Sequence, residues 1–130
     1  MSRIFFDTNL FIYLLEDRGE RGARVSKIVE RMSERRDELL TSTFTLAEVL
    51  VKPLSAAEHA GGVLMLAFDR PSARIYAQLR RDRTLTLPDA IQLSCAASAR
   101  CDLFITNDER LSRKIVPGIQ FITSLDRASV

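Results

Sequence analysis

Short apolar runs alternate with stretches of helical periodicity along the chain. The apolar runs predict four strands, at residues 3–6, 38–42, 102–106 and 119–122. The segment 63–68 is apolar but has no clear period, so that strand and helix both stay open there. Strands that alternate with helices are typical of a parallel sheet covered by helices on both faces. The pattern therefore predicts an α/β fold with a central parallel sheet.

Helices are predicted wherever apolar residues recur every three or four positions. The clearest case is an amphipathic helix at 23–32, where Val25, Ile28 and Met32 alternate with charged residues. The other predicted helices lie at 9–15, 44–51, 71–81, 88–99 and 108–115, with one or two further turns at 55–61. Pro53 ends the helix at 44–51, and Pro88 lies in the first turn of the helix at 88–99.

Length and composition fit one ordinary domain over residues 1–130. The chain has 130 residues, of which 46% are hydrophobic and 28% charged, and we find no repeat or linker. No apolar run approaches the roughly 20 residues of a membrane helix, and no signal peptide is evident. Cys95 and Cys101 have neither metal-site nor disulfide-scaffold spacing. We therefore expect a cytoplasmic protein without a membrane partner.

The charged and polar residues narrow the chemistry. The net charge is only +2, but three of the 19 basic residues are lysines and the rest are arginines. Arginine suits phosphate recognition, although a GC-rich coding sequence would give the same bias. The single histidine, His59, is best interpreted as a loop or helix-end residue, so that chemistry based on a histidine pair, a His-Cys dyad or a Ser-His-Asp triad has little to work with. Carboxylates, arginines and hydroxyls remain as the candidate catalytic groups.

Five acidic residues have apolar neighbours on the same element. Asp7 directly follows the strand Ile4-Phe5-Phe6, and Asp108 follows the strand at 102–106. Glu48 and Asp89 lie near the starts of predicted helices, and Asp102 is better explained as a structural residue at the entrance of its strand. In a parallel α/β sheet, strand ends and helix starts meet at one edge, where ligands bind. We therefore expect four of these acids to gather there.

Each of the four acids also has a purely structural explanation. Asp7 and Asp108 are suited to cap the helices that follow them. The spacing of Thr45 and Glu48 is that of a capping box, and Asp89 stands in a helix start, where the macrodipole favours an acid. Two charges 5 Å apart nevertheless repel by about 3 kcal/mol at an effective dielectric of 20. Four clustered acids would therefore require protonation or a cation, and oxygen ligands favour Mg²⁺ or Mn²⁺ over zinc.

The ordered set of motifs resembles the PIN domain family over essentially the whole chain. The motifs are Asp-Thr-Asn at 7–9, Glu48 within F-T-L-A-E-V-L, Asp89 within L-P-D-A-I-Q-L and Asp108 within D-L-F-I-T-N-D. A lone PIN domain of this size is similar to the toxin ribonuclease of a VapBC-type toxin–antitoxin pair. The segment 53–71 is short for the family and matches it only loosely.

The resemblance implies a three-layer α/β/α sandwich and a Mg²⁺- or Mn²⁺-dependent ribonuclease. By position, Asp7, Glu48, Asp89 and Asp108 would form the acidic metal site. Asn9 and Thr106 match polar positions beside that site in the family. Arg110, Arg113 and Lys114 are candidate contacts to the RNA backbone, or alternatively a solvated helix face.

The resemblance also implies partners: a homodimer and a VapB-like antitoxin whose tail blocks the acidic site. Apolar residues at 11–15 and 23–32 would offer a dimer surface, unless they simply form the core. Three other functions stay open at this stage. They are a non-catalytic module that binds RNA or protein, a housekeeping RNA-processing nuclease, and a phosphatase with Asp7 as nucleophile. Such phosphatases usually have a second Asp where this chain has Asn9.

Overall fold

A five-stranded parallel sheet organises the chain. The computed structural model describes residues 1–16, 19–50 and 62–128. The strands are β1 (Arg3–Phe6), β2 (Glu38–Ser42), β3 (Val63–Leu66), β4 (Leu103–Thr106) and β5 (Phe121–Ser124). Their order is β3-β2-β1-β4-β5, so that the first strand is the central one. All four strand pairs are parallel, which confirms the predicted sheet type and settles 63–66 as a strand.

Helices connect the strands and cover both faces of the sheet. They are α1 (Thr8–Glu16), α2 (Glu20–Arg35), α3 (Thr43–Leu50), α4 (Arg70–Leu79), α5 (Leu87–Ser98) and α6 (Glu109–Ser112). A short 3-10 helix follows at Leu125–Arg127. The helix turns predicted at 55–61, together with Pro53 and His59, lie outside the described residues.

The two faces of β1 build two separate cores, because successive side chains of a strand point to opposite sides. Phe5 packs with α5 and stacks on Phe104 of the neighbouring strand, with ring centroids 5.0 Å apart. Ile4 and Phe6 face the other side, in a buried cluster that includes residues of α1 and α2. The result is the three-layer α/β/α sandwich that the resemblance implied.

Two predicted boundaries near the end of the chain are wrong. The helix predicted at 108–115 stops at Ser112, because Leu111 is its only buried side chain and Ile115 is 95% exposed. The strand predicted at 119–122 begins two residues later, at Phe121. A turn around Gly118 comes first, with φ at +98°, and the backbone pairs with Asp102 only from Phe121 onwards.

Most of the apolar side chains that were expected to form a dimer surface are buried in the core instead. Val25, Ile28 and Met32 of α2 and Phe11 of α1 are buried, and Tyr13, Leu14 and Leu15 are partly buried against the same cluster. The alternative explanation, that these residues are plain core, is therefore the one the packing favours. Among the described residues, no helix is both long enough and apolar enough to cross a bilayer.

Candidate active site

Asp7 stands where the central strand gives way to α1, at the carboxyl edge of the sheet. Its backbone N–H donates to the Ile105 carbonyl of β4 at 3.0 Å, which extends the strand pairing by one step. The β1 and β4 strands are direct neighbours in the sheet, which brings the strand ends before Asp7 and Asp108 side by side. The carboxylate is therefore fixed by a strand end that is bonded on both sides.

Three donors surround the Asp7 carboxylate. The Thr106 hydroxyl donates to Oδ2 at 2.8 Å, the Thr8 backbone N–H donates to Oδ1 at 2.8 Å, and Gln92 Nε2 approaches Oδ1 at 3.4 Å. Burial nevertheless raises the pKa of Asp7 above its usual range, and the nearby Asp89 charge adds to that rise. The three hydrogen bonds oppose it. Asp7 is thus an acid whose negative charge is only partly compensated by the protein.

A buried hydroxyl network beneath Asp7 was not anticipated from the sequence. Gln92 of α5 is 2% exposed, and its Nε2 donates to Thr8 Oγ1 at 3.0 Å and to Thr45 Oγ1 at 2.6 Å. Its Oε1 accepts from the hydroxyl of Ser42 at the end of β2. One amide therefore joins α1, α3 and α5 directly under the acid. The only signal in the sequence was a glutamine inside the apolar run Ala90-Ile91-Gln92-Leu93.

Glu48 reaches the same network from α3. Its Oε1 accepts from the Thr8 hydroxyl at 3.0 Å, while that hydroxyl also contacts Thr45 Oγ1. The capping-box interpretation of Thr45 and Glu48 is wrong, because Thr45 lies inside α3 and its backbone N–H donates to Ser42 Oγ. Glu48 is therefore held at the acidic edge rather than turned back along its own helix.

Arg110 connects the other two acids. Its Nη2 lies 3.0 Å from Asp89 Oδ2 and 3.3 Å from Asp108 Oδ2, and its Nη1 donates to the Thr84 carbonyl. Asp108 in turn donates its backbone N–H to Thr106 Oγ1 at 3.1 Å, the hydroxyl that binds Asp7. Thr106 thereby links Asp7 to Asp108, and Arg110 links Asp108 to Asp89. The Arg110 guanidinium balances part of the negative charge of these acids.

The acids that lie together at the sheet edge also cap the helices that follow them. Asp108 caps α6 by accepting from Arg110 N, and Asp89 forms a capping box with Thr86 at the start of α5. Asp7 accepts from the first residue of α1. Each of these bonds uses only part of a carboxylate, which has about four acceptor positions. Asp102 lies apart from this cluster, where it accepts the Arg3 backbone N–H at 2.7 Å.

The remaining predicted site residues differ in burial and in their hydrogen-bond and ion-pair partners. Thr106 is buried at the centre of the acidic edge, whereas Asn9 turns outward and donates from Nδ2 to Asn107 Oδ1 at 2.9 Å. Lys114 is paired with Asp82 at 2.8 Å. The Arg113 side chain is exposed and has no acidic partner among the described residues. Of the three basic candidates for RNA contact, Arg113 is thus the one whose side chain is free of ion pairs with the described acids.

The chemistry of the donor set is that of a site for a hard divalent cation. All four acidic side chains offer oxygen ligands, and the partly buried Asp7 carries a charge that burial disfavours. In the part of the chain that the structure describes, no three acidic, cysteine or histidine side chains converge on one ion position. An ion shared by Asp89 and Asp108 would displace Arg110, which is 46% exposed and has room to leave.

The fold and this edge define a class: parallel α/β proteins with an acidic cluster at the carboxyl end of the central strand. Residues 4–115 match the sequence profile of the PIN domain. The chain belongs to the PIN domain family. The match spans every acidic residue of the cluster.

Three solved structures of similar fold are VapBC or toxin–antitoxin complexes. A chain of VapBC2 from Rickettsia felis, bound to a promoter DNA fragment, aligns with a TM-score of 0.73 at 14% identity, over 94% of this chain and 98% of that one. DNA-bound VapBC from Salmonella typhimurium gives 0.71 at 20% identity, over 96% and 99%. A toxin–antitoxin complex from Klebsiella pneumoniae gives 0.64 at 25% identity, over 89% and 94%. No curated protein sequence matches this chain significantly.

Proposed function

We propose that this PIN domain is a metal-dependent endoribonuclease and the toxin of a VapBC-type toxin–antitoxin pair. The observation that carries the proposal is the joining of Asp7, Glu48, Asp89 and Asp108 at one edge of the sheet through Thr106, Thr8 and Arg110. If the four acids served only as helix caps, they would not need to be linked to one another through the same hydrogen-bonding side chains.

The similar structures support the toxin assignment within that family. Three chains that the protein nearly matches in length come from complexes described as VapBC or toxin–antitoxin. By that likeness, the natural partner is a VapB-like antitoxin that covers the acidic edge. A homodimer remains part of the proposal, with surfaces other than the buried face of α2 forming the contact.

The roles follow from how firmly each residue is held. Asp7 is the central ligand for Mg²⁺ or Mn²⁺, since both backbone pairing and three hydrogen bonds fix it. Asp89, Asp108 and Glu48 complete the oxygen set and orient water. Thr106 holds Asp7 and positions the Asp108 backbone. A bound divalent ion would supply an activated water and stabilise the leaving oxygen of the phosphodiester.

The basic residues near the cluster are proposed to contact the RNA backbone. Arg113 is exposed and unpaired with acids in the described chain, so it is the most available of the three. Arg110 and Lys114 become available only when their bonds to Asp89, Asp108 and Asp82 open. Contacts of this kind lower affinity as salt rises, because counterions are released from the phosphates.

The decisive experiment compares cleavage of a mixed RNA pool by the parent, Asp7→Asn and Asp89→Asn proteins with Mg²⁺. We expect each variant to lose about 100-fold or more in rate, because a ligand is replaced by a neutral amide. Glu34→Gln on the exposed face of α2 is the matched control and is expected to keep the parent rate. EDTA should abolish cleavage, and Mn²⁺ should restore it.

A second measurement separates the enzyme from a non-catalytic binding module. Mn²⁺ is titrated into the parent and into Asp7→Asn by calorimetry. Binding by the parent and its loss in the variant support the metal site. If the variants cleave RNA as fast as the parent, the assigned site is wrong, and if the parent binds RNA without cleaving it, the module is the better description.

A further inference from the structure

A polar track leads away from the acidic cluster along the outside of α1. Asn107, between Thr106 and Asp108, accepts from Asn9 and donates from Nδ2 to Tyr13 Oη at 3.2 Å. Arg21 of α2 donates to the same Tyr13 oxygen at 3.2 Å, with its guanidinium carbon 5.3 Å from the ring centroid. The track therefore begins beside the proposed metal ligands and ends in an exposed cation.

The side chains of the track have unused hydrogen-bonding capacity. Arg21 offers five N–H donors and spends one on Tyr13, and Asn107 keeps one amide N–H. No hydrogen bond to the side-chain Oδ1 of Asn9 is formed by the residues that the structure describes. Donors and acceptors presented together at an exposed surface match the mixed phosphate, sugar and base edges of a single-stranded nucleic acid.

A small cavity beneath Tyr13 and Arg21 gives an independent sign of a ligand site. It measures about 20 Å³ and is lined by Tyr13, Arg21, Asn107, Ser124, Leu125 and Asp126. Ser124 is 2% exposed, and its hydroxyl has no hydrogen-bond partner within the described part of the chain. Buried hydroxyls are nearly always paired, so this one is suited to a water or a ligand atom that fits the cavity.

We infer that Arg21, Tyr13, Asn107 and Asn9 form a subsite for the nucleotide next to the scissile phosphate of single-stranded RNA. Arg21, which the Tyr13 ring and hydroxyl hold in position, binds the neighbouring phosphate. The Asn9 and Asn107 amides face the sugar or base between that phosphate and the acidic cluster. This inference rests on the proposed ribonuclease function and extends it to substrate binding.

The test measures RNA binding apart from cleavage. A fluorescein-labelled single-stranded decamer is titrated with protein in Ca²⁺ instead of Mg²⁺, and a gel verifies that the RNA stays intact. We expect Arg21→Gln to weaken binding about fivefold to tenfold and to lower the dependence of log affinity on log salt by about 0.7, the value for one phosphate contact on a single strand. Arg21→Lys keeps the charge and should stay within about threefold of the parent.

Arg100→Gln is the matched control for loss of one positive charge. Arg100 is exposed in the turn between α5 and β4, at the opposite edge of the sheet, and its left-handed φ of 53° is no harder for glutamine. It should bind within twofold of the parent. Tyr13→Phe, which removes the hydroxyl that both Arg21 and Asn107 contact, should fall between the parent and Arg21→Gln.

Steady-state kinetics with Mg²⁺ give a readout that a merely structural role would not move. Arg21→Gln should raise KM with kcat within about twofold, because the subsite binds substrate without touching the reacting atoms. Equal affinities of Arg21→Gln and Arg100→Gln overturn the subsite, and the nuclease stands if the parent still cleaves RNA. A parent that neither binds nor cleaves RNA overturns both.

Discussion

The Thr106 hydroxyl donates to Asp7 Oδ2 at 2.8 Å and accepts the Asp108 backbone N–H at 3.1 Å. One side chain on β4 thereby sets the position of two acids that lie 101 residues apart in the sequence. The bond also opposes the rise in the Asp7 pKa that burial causes. Thr106, whose hydrogen bond lowers the Asp7 pKa more than the other two do, is therefore a residue through which the ionisation of Asp7 can be adjusted without altering an acid.

Thr106→Val should shift the acid limit of metal binding to higher pH. Valine keeps the volume of threonine but removes the donor, so that the pKa of Asp7 rises further and the group stays protonated to a higher pH. Calorimetric Mn²⁺ titrations from pH 5 to pH 8 measure the shift. Thr106→Ser retains the hydroxyl and should follow the parent profile, and a valine profile that overlays both would contradict the assignment.

Asp7→Asn should stabilise the metal-free protein at neutral pH. The folded-state pKa of Asp7 is raised, so ionisation costs stability as pH rises through that pKa, whereas the cost is absent below the unfolded value of 3.8. Asparagine removes the charge and keeps an oxygen for the Thr8 N–H. We expect the variant to melt at a higher temperature than the parent at pH 7.5, because it carries no buried charge there. The difference should shrink as pH falls.

Gln92→Leu should be strongly destabilising although leucine suits a buried helix. It would leave the hydroxyls of Ser42, Thr8 and Thr45 without their shared partner. The expected loss is about 3 kcal/mol in urea unfolding, because buried unsatisfied groups cost about 1–3 kcal/mol each and some will re-pair. Gln78→Leu, on the exposed side of α4, is the comparison and should change stability by less than about 0.5 kcal/mol. Similar losses for both would show that the network contributes little.

Arg110→Gln should tighten Mn²⁺ binding about twofold to fivefold in the absence of RNA. The guanidinium occupies oxygens of Asp89 and Asp108 that an ion would use, and solvent screening keeps these exposed ion pairs weak enough to open. Arg113→Gln removes the same charge three residues away without touching those acids and should leave the affinity nearly unchanged. Weaker binding in Arg110→Gln would mean that the arginine organises the ligands rather than competing for them.

Gly118→Ala should destabilise the turn before β5 by about 2 kcal/mol or more. The glycine has a φ of +98°, and an added Cβ would lie 2.6 Å from the Ala97 carbonyl oxygen. Gly62→Ala is a suitable control, since its Cβ would meet nothing within 4 Å. Thermal unfolding of the two variants checks the difference, and equal melting temperatures would show that the turn relaxes without cost.

The sheet and the acidic edge were predictable because both depend on patterns that are local in sequence. Apolar runs located β1, β2 and β4, and an acid after a buried strand identified Asp7 and Asp108. The Gln92 network was not predictable, since its members come from three helices and a strand end and share no spacing. The end of α6 was missed for a related reason: Ile115 continues the helical period but finds nothing to pack against.

The central position of β1 has a consequence for the order of folding. Its two neighbours are β2, which follows 35 residues later, and β4, which follows about 100 residues later. During synthesis at about 5–20 residues per second, β1 remains open on one side until β4 has emerged from the ribosome. Because Thr106 lies in β4, the acidic cluster cannot assemble on the growing chain before β4 has emerged.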